Sequence, residues 1–404
     1  MHAPHNFAAD PTLVFPDYQG RSLLNLMQTL RSGLDLPDLG YAPLAPETGL
    51  SSAQIAGAKR VLTIVIDGMG DQLLATHAPD GLLRQYRRSR LTSVFPSTTA
   101  SAIPTFFTGL PPQAHGLTGW HMWLREIGQT LSILPLSPRD RSIEPIDPGA
   151  LPSLLFQHAP ISAQLPGRVF MVAPNDILES PFNQFHSAAA ARIGYHGLHG
   201  FVDAIEQAVQ ASANCPAPVW IHAYYPALDS LMHQVGTQAP KVADRIRQID
   251  AAFGSLLQRL HGSSTLIIVT ADHGFIDAPD DHLIELDHHP ALAALLARPL
   301  CGERRLAFAY VAQENRPAFV DYLRTHFADA CRCVPTADFI AEGWFGPGPA
   351  HPELASRCGD FVLQMRGDWT IKDWLQDEPR YRQPGVHAGA SADEMFIPLI
   401  VAQT

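Results

Sequence analysis

The run Thr265-Leu266-Ile267-Ile268-Val269-Thr270-Ala271-Asp272-His273-Gly274 is an unbroken apolar and β-branched segment closed by a carboxylate, an imidazole and a glycine. Such a run, ended by a glycine, reads as a strand buried on both faces. Asp272 and His273 leave its tip, and Asp and His are side chains that a hard-to-borderline divalent cation collects.

Other segments repeat the pattern. Residues 60–66 (RVLTIVI) form a second continuous run, followed by Asp67-Gly68-Met69-Gly70. Residues 219–225 form a third, shortly before Asp229, and residues 169–172 and 91–95 read as further strands. Between them, residues 71–88, 97–108, 201–211 and 239–260 have helical character. Strands alternating with helices predict an α/β fold, a mostly parallel sheet with helices on both faces. Ligands bind at the carboxyl ends of strands in such sheets, which is where the singled-out residues fall.

Residues 12–60 read as an approach segment, helical over 22–30. After residue 275 the pattern loosens. Strand-like pieces at 305–311 and 361–365 alternate with helical ones among many Pro and Gly. This predicts a smaller α+β cap over residues 276–385, inserted in a core made of 1–275 and 386–404. Residues 395–401 (MFIPLIV) then supply a last core strand.

A chain of 404 residues, 46% hydrophobic, is ample for a large core. A formal net charge of −11 disfavours DNA or RNA as a bulk electrostatic partner. An anionic substrate would need cations held locally in the site. The five cysteines are few and odd in number, which predicts reduced thiols and a cytoplasmic protein. Residues 1–11 lack a basic start and an apolar stretch, so no secretory signal is expected there. No run approaches about 20 apolar residues, so no membrane span is expected.

Four segments carry the chemistry. They are Asp67; Asp229 with His233, one helical turn apart; Asp272-His273; and His387, in the loop Gly385-Val386-His387-Ala388-Gly389. Taken singly, Asp67 also suits a helix N-cap, Asp229–His233 a surface helix pair, and His387 an ordinary loop histidine. Together they supply three carboxylates and three imidazoles, enough for two divalent ions with open positions. A fifth element, Phe95-Pro96-Ser97-Thr98-Thr99-Ala100-Ser101-Ala102, puts hydroxyls at the start of a helix. Hydroxyls there act as caps, but a helix N-terminus also offers amides to an anion, and a cation-bound Ser or Thr is a usable nucleophile.

The texts IVIDGMG, VFPSTTASAIPTFFTGLPPQAHGLTGW, YYPALDSLMHQVG, VTADHGF and HAGASADEMFIPLIV stand in this order between residues 61 and 401. In this, the chain resembles the alkaline phosphatase superfamily. It is most similar to the branch holding nucleotide pyrophosphatase/phosphodiesterases and phosphonoacetate hydrolase. The resemblance implies an alkaline-phosphatase-like core and two metal ions, most often Zn2+, with Mn2+ as the alternative. One ion would be held by Asp229, His233 and His387. The other would be held by Asp67, Asp272, His273 and the oxygen of the nucleophile, which falls on Thr99 with Thr98 as second choice. No Cys-x-Pro-x-Arg segment of sulfatase type is present.

The implied activity is hydrolysis of a small-molecule phosphodiester or nucleotide through a phosphothreonine intermediate. Phosphonate C–P hydrolysis and phosphomonoester hydrolysis are alternatives on the same core; a catalytically impaired binding protein is the alternative of another class. The resemblance also leads one to expect an Asn donor three residues after the nucleophile. That position is Ala102, so Ser101, Trp120 or His121 would have to replace it. Trp120, His121 and Tyr225 are candidate substrate contacts, with aromatic packing under a loop as the alternative for Trp120. Asp281-His282 and Asp287-His288-His289 form a second Asp/His-rich patch, open to a third metal or to a solvated loop.

Overall fold

A computed structural model describes residues 12–404 apart from 145, 148 and 377. The segment 1–11, expected not to be a secretory signal, lies outside the described residues. The strands that form the two large sheets are, in chain order, β1 (Arg60–Ile66), β2 (Arg87–Thr92), β3 (His121–Leu124), β4 (Gln129–Ser132), β5 (Ser137–Pro138), β6 (Val169–Pro174) and β7 (Ala191–Tyr195). They continue with β8 (Val219–Tyr225), β9 (Thr265–Thr270), β10 (Cys301–Gly302), β11 (Leu306–Ala309), β12 (Cys331–Pro335), β13 (Phe361–Met365) and β14 (Phe396–Gln403). The helices that matter here are α1 (Leu23–Gly33), α2 (Asp71–His77), α3 (Thr99–Thr108), α4 (Gly197–Ala211), α5 (Ala227–Val235), α6 (Pro240–Arg259) and α7 (Ala392–Met395).

The core sheet has the order β2-β14-β9-β1-β8-β6-β7. β1 is parallel to both β8 and β9, and β6 is parallel to β7 and β8; only β14 runs antiparallel to its neighbours. The mostly parallel α/β architecture read from the sequence is the fold. β1 and β9 are buried along their whole lengths, as unbroken apolar runs in a doubly covered sheet should be.

Two faces of this sheet can be told apart from side chains. Ile64, Ile66 and Val269 lie with Phe201, Ile205, Ile249, Phe253 and Leu256 of α4 and α6. On the other face, Trp220 Nε1 donates to Thr63 Oγ1, and His222 packs against Phe106 and Phe107 of α3. Strand alternation therefore places the odd-numbered side chains of β1, and Asp67 beyond them, on the α3 side.

A second sheet, antiparallel throughout, has the order β12-β13-β11-β10-β3-β4-β5. Its strands β3–β5 come from residues 121–138, ahead of the expected cap boundary at 276. A cap of 276–385 therefore does not contain the whole of its own sheet. Short antiparallel strands need partners rather than long apolar runs, so residues 121–138 gave little local signal. The two sheets meet through a buried bidentate pair: Arg305 Nε and Nη2 each lie 3.0 Å from an oxygen of Glu394, on α7. Glu394 in turn accepts from the Gly389 amide at 2.8 Å, beside the His387 loop.

All five cysteines are free. No helix among the described residues is long and apolar enough to cross a membrane.

Candidate active site

Three adjacent parallel strands deliver the site. Ile66 is in register with Tyr225, and Val65 with Thr270, so β1, β8 and β9 end at one level. Asp67 follows β1, Asp229 stands in the first turn of α5 after β8, and Asp272-His273 follow β9. The site thus sits at the carboxyl edge of the sheet, centred on β1.

The local sequence fixes each carboxylate. Asp272 Oδ1 accepts from the amides of Gly68 (3.2 Å) and His273 (3.0 Å), which leaves Oδ2 for the site. Gly68 has φ +72°, and a Cβ there would lie 2.7 Å from Phe275, so the turn requires glycine. Asp67 Oδ2 accepts a short hydrogen bond from the Tyr224 hydroxyl. Asp67 Oδ1, Asp229 Oδ1 and Asp272 Oδ2 are buried and make no hydrogen bond.

The three imidazoles are oriented alike. Nδ1 of His233 lies 2.8 Å from Gly385 O, Nδ1 of His273 3.1 Å from Gly274 O, and Nδ1 of His387 3.3 Å from Ser97 O. In the neutral rings a proton on Nδ1 donates to those carbonyls and leaves the Nε2 lone pair for the site, as in metal-binding histidines; at His233 the Gln383 side-chain amide also lies 2.7 Å from Nδ1. Phe275 packs against all three rings, and His273 stacks on His387 at 3.9 Å between centroids. The β-bridge of Ile276–Asp277 with Gly385–Val386 brings the His387 loop to this platform.

The Nε2 atoms face the orphaned carboxylate oxygens. His273 Nε2 is 3.3 Å from Asp67 Oδ1 and 3.4 Å from Asp272 Oδ2. His233 Nε2 is 3.4 Å and His387 Nε2 3.7 Å from Asp229 Oδ1. Ligands about 2.0–2.1 Å from one tetrahedral ion stand roughly 3.3–3.4 Å apart, so these spacings fit a divalent cation. Asp67, Asp272 and His273 form one candidate ligand group, and Asp229, His273 and His387 another. His273 therefore stands between the two clusters.

The electrostatics record the crowding of carboxylates. Burial first, then the neighbouring Asp67, pushes the carboxyls of Asp229 and Asp272 upward. Burial works against a charged His273, but Asp272 and Asp67 outweigh it and raise its pKa. Burial holds His387 well below the ordinary imidazole value and His233 at about 4. Carboxylates crowded this closely without a counter-charge are costly; a divalent cation reverses that balance.

Thr99 opens α3, and its Oγ1 lies 3.1 Å from His273 Nε2. In the neutral ring with its proton on Nδ1 the Thr99 hydroxyl donates to this nitrogen; in the imidazolium Nε2 donates to Thr99 Oγ1. Thr98 is the N-cap by backbone shape, yet its side chain does not cap the helix. Its hydroxyl donates instead to Glu303 Oε1 at 2.7 Å. The first turn of α3 is left without a side-chain cap and can receive an anion.

A cavity of about 340 Å3, in the size range of small-ligand pockets, opens above these groups. Thr98, Thr99, Asp229, His233 and His387 form its floor, with Trp120, His121 and Glu303 beside them. Arg139, Arg304 and Lys372 complete the wall. Arg139 pairs with Asp373 (2.6 Å) and Lys372 with Glu378 (2.7 Å). Arg304 lies over Tyr381 (4.9 Å), and its Nη2 is buried without a hydrogen bond.

Of the three candidate substrate contacts, Trp120 and His121 line the cavity and Tyr225 does not. Tyr225 is on the opposite side of the sheet from Tyr224, packed on Tyr195 and Phe201, with its hydroxyl accepting from Arg245. Neighbouring residues of a strand point to opposite faces, so only one of the two tyrosines can reach the site, and it is Tyr224. Ala102 is fully buried on α3 and is not among the residues that line the cavity. The Asp/His-rich patch at 281–289 does not gather. His282 pairs with Asp368 at 2.5 Å, Asp287 with Arg380, and His289 meets Tyr322.

Glu303 was not anticipated, because nothing around Cys301-Gly302-Glu303-Arg304-Arg305 marks it locally. Its Oε1 also accepts from the Trp120 amide at 2.8 Å. Two glycines make this possible: a Cβ on Gly119 would lie 2.7 Å from Gly302 Cα. Burial pushes the Glu303 carboxyl up to about 7, against the pull of its two hydrogen bonds.

A family model described as type I phosphodiesterase/nucleotide pyrophosphatase matches residues 61–148 and 156–390. Among solved structures, the fold is similar to murine ectonucleotide pyrophosphatase/phosphodiesterase 5, an inactive variant in complex with AMP. That match has 20% identity and a TM-score of 0.64, covering 84% of this chain and 87% of that one. The human ectonucleotide pyrophosphatase/phosphodiesterase 5 matches at 19% identity and TM-score 0.62, with 84% and 87% coverage. Phosphonoacetate hydrolase from Sinorhizobium meliloti, in complex with phosphonoformate, matches at 18% identity and TM-score 0.59, with 85% and 90% coverage. With most of its length under one family model and the strand-end Asp and His residues inside that span, the chain belongs to the type I phosphodiesterase/nucleotide pyrophosphatase family.

Proposed function

We propose that this protein hydrolyses a small phosphodiester of nucleotide size, with Thr99 as nucleophile and two divalent cations as cofactors. The observation that carries the reading is the convergence of Thr99 Oγ1 with three hydrogen-bond-free carboxylate oxygens and three imidazole Nε2 atoms, of which Thr99, Asp229, His233 and His387 line the cavity while Asp67, Asp272 and His273 lie buried beside them. The family is metal-dependent, and a donor set of imidazole and carboxylate suits zinc first and manganese second. Asp229, His233 and His387 would hold one ion; Asp67, Asp272, His273 and Thr99 Oγ1 would hold the other. Bound there, such ions lower the pKa of an oxygen ligand and neutralise charge on the transferred group.

The chain's own residues position the reaction. Thr99 Oγ1 attacks phosphorus in line; the Oγ1–P bond forms as the bond to the leaving oxygen breaks. Water then cleaves the phosphothreonine and frees the hydroxyl. Uncapped amides in the first turn of α3 receive a phosphoryl oxygen. Trp120 and His121 form a wall for the substrate's organic part.

A second reading, phosphonate C–P cleavage, is favoured by Arg304. Arg304 lines the cavity and its buried Nη2 has no hydrogen bond, so its guanidinium suits a distal anion on the leaving group. Bis-p-nitrophenyl phosphate, p-nitrophenyl phosphate and phosphonoacetate, assayed side by side with zinc or manganese, separate these readings. The diester is expected to give the highest kcat/KM; phosphonoacetate leading would favour the second reading. Metal-loaded protein that turns over none of the three would refute both.

A further inference from the structure

Glu303 is a fourth carboxylate at the reaction floor, and it belongs to neither ligand cluster. Both of its protein hydrogen bonds, from Thr98 Oγ1 and the Trp120 amide, go to Oε1. Oε2 has no protein partner among the described residues. Among the described residues no arginine or lysine forms an ion pair with it: Arg304 next in sequence lies over Tyr381 and Trp374, while Arg139 and Lys372 are paired with Asp373 and Glu378. Thr98, which the carboxylate holds, directly precedes the proposed nucleophile Thr99, and Thr98, Thr99 and Glu303 line the same cavity.

The position has a consequence for charge. The transferred group of a phosphodiester carries one negative charge, whereas that of a monoester approaches two near neutral pH. A like charge lining the same cavity penalises the second about twice as strongly, in energy, as the first. We propose that Glu303 is a specificity-determining residue that turns away a dianionic phosphoryl group, so that diesters are accepted and monoesters disfavoured. The proposal rests on the phosphodiesterase reading above.

The test is the ratio of kcat/KM for bis-p-nitrophenyl phosphate to that for p-nitrophenyl phosphate. It is measured on zinc-loaded protein at about pH 8, above the ordinary carboxylate range. Glu303→Gln, which keeps shape and removes charge, is expected to shift the ratio toward the monoester by about tenfold or more. Glu303→Asp keeps the charge and should keep the preference for the diester. Glu303→Ala provides a second neutral variant if the glutamine disturbs folding. A ratio within about twofold of wild type in both neutral variants, or equal losses on both substrates, would overturn the proposal while leaving the phosphodiesterase reading in place. Wild-type protein inactive on both substrates would overturn that reading and this proposal together.

Discussion

Thr99 Oγ1 lies 3.1 Å from His273 Nε2, and this contact joins the helix that presents a hydroxyl to the strand end that presents carboxylates. The same Nε2 stands 3.3 Å from Asp67 and 3.4 Å from Asp272. One imidazole thus ties the proposed nucleophile to two of the three carboxylates at the strand ends.

Metal removal follows from this crowding. Asp67 Oδ1, Asp229 Oδ1 and Asp272 Oδ2 are buried with no hydrogen-bond donor. A cation bound at about 100 times its dissociation constant adds about 2.7 kcal/mol to stability. A chelator is therefore expected to abolish activity and lower Tm by several degrees, with zinc restoring both. His387→Ala should reduce bound metal, measured by elemental analysis, while His282→Ala should not. Equal metal content in the wild-type and His387→Ala proteins would contradict the assignment.

Tyr224 and Tyr225 should behave differently. The Tyr224 hydroxyl donates to Asp67 Oδ2, while that of Tyr225 accepts from Arg245 on the other side of the sheet. Losing a hydrogen bond to a charged group costs about 1.5–3 kcal/mol. Tyr224→Phe is expected to lower kcat/KM by about tenfold or more on that basis, and Tyr225→Phe to leave it within about twofold. Steady-state kinetics on the two variants decide the point.

Acid should unfold the protein through its buried histidines. Burial first, and for His186 also the nearby His158, holds His186 and His222 at about 3, against an ordinary value of 6.5. The unfolded chain binds protons that these folded side chains refuse. Their contribution is intact above the ordinary imidazole pKa and is lost as pH falls toward the folded values, at up to about 1.4 kcal/mol per unit for each histidine. Neither ring nitrogen of His222 has a hydrogen bond. His222→Leu should therefore raise Tm more at about pH 5 than at about pH 8; equal shifts would contradict this.

Arg305 and Glu394 form a fully buried bidentate pair between the second sheet and α7. Removing one partner strands the other charge. Arg305→Ala is expected to destabilise the fold by about 3–5 kcal/mol in denaturant titrations. It should also weaken metal binding at His387, because Glu394 holds the Gly389 amide.

The core was legible because its strands are locally self-declaring. Residues 60–66 and 219–225 are mostly apolar runs that coincide with β1 and β8, and the candidate ligands stand just past their ends. Asp229 and His233 were legible as a helical pair after β8, and they do share one turn of α5. The second sheet was not legible as a unit, since β10 has two residues and its neighbour β3 is remote in sequence. Glu303 was hidden for the same reason: its role depends on the approach of Gly119 to Gly302, a tertiary contact without local pattern. Choosing between Tyr224 and Tyr225 needed the facing of β8, which an all-apolar strand does not disclose.

The central claim is that Thr99 carries the phosphoryl group. Zinc-loaded protein mixed with bis-p-nitrophenyl phosphate, quenched in acid during turnover and mapped by peptide mass spectrometry, tests it directly. The account predicts phosphate on Thr99, absent in Thr99→Ala, together with loss of turnover in that variant. A Thr99→Ala protein that keeps wild-type turnover, or phosphate found on Thr98 and not on Thr99, would contradict it.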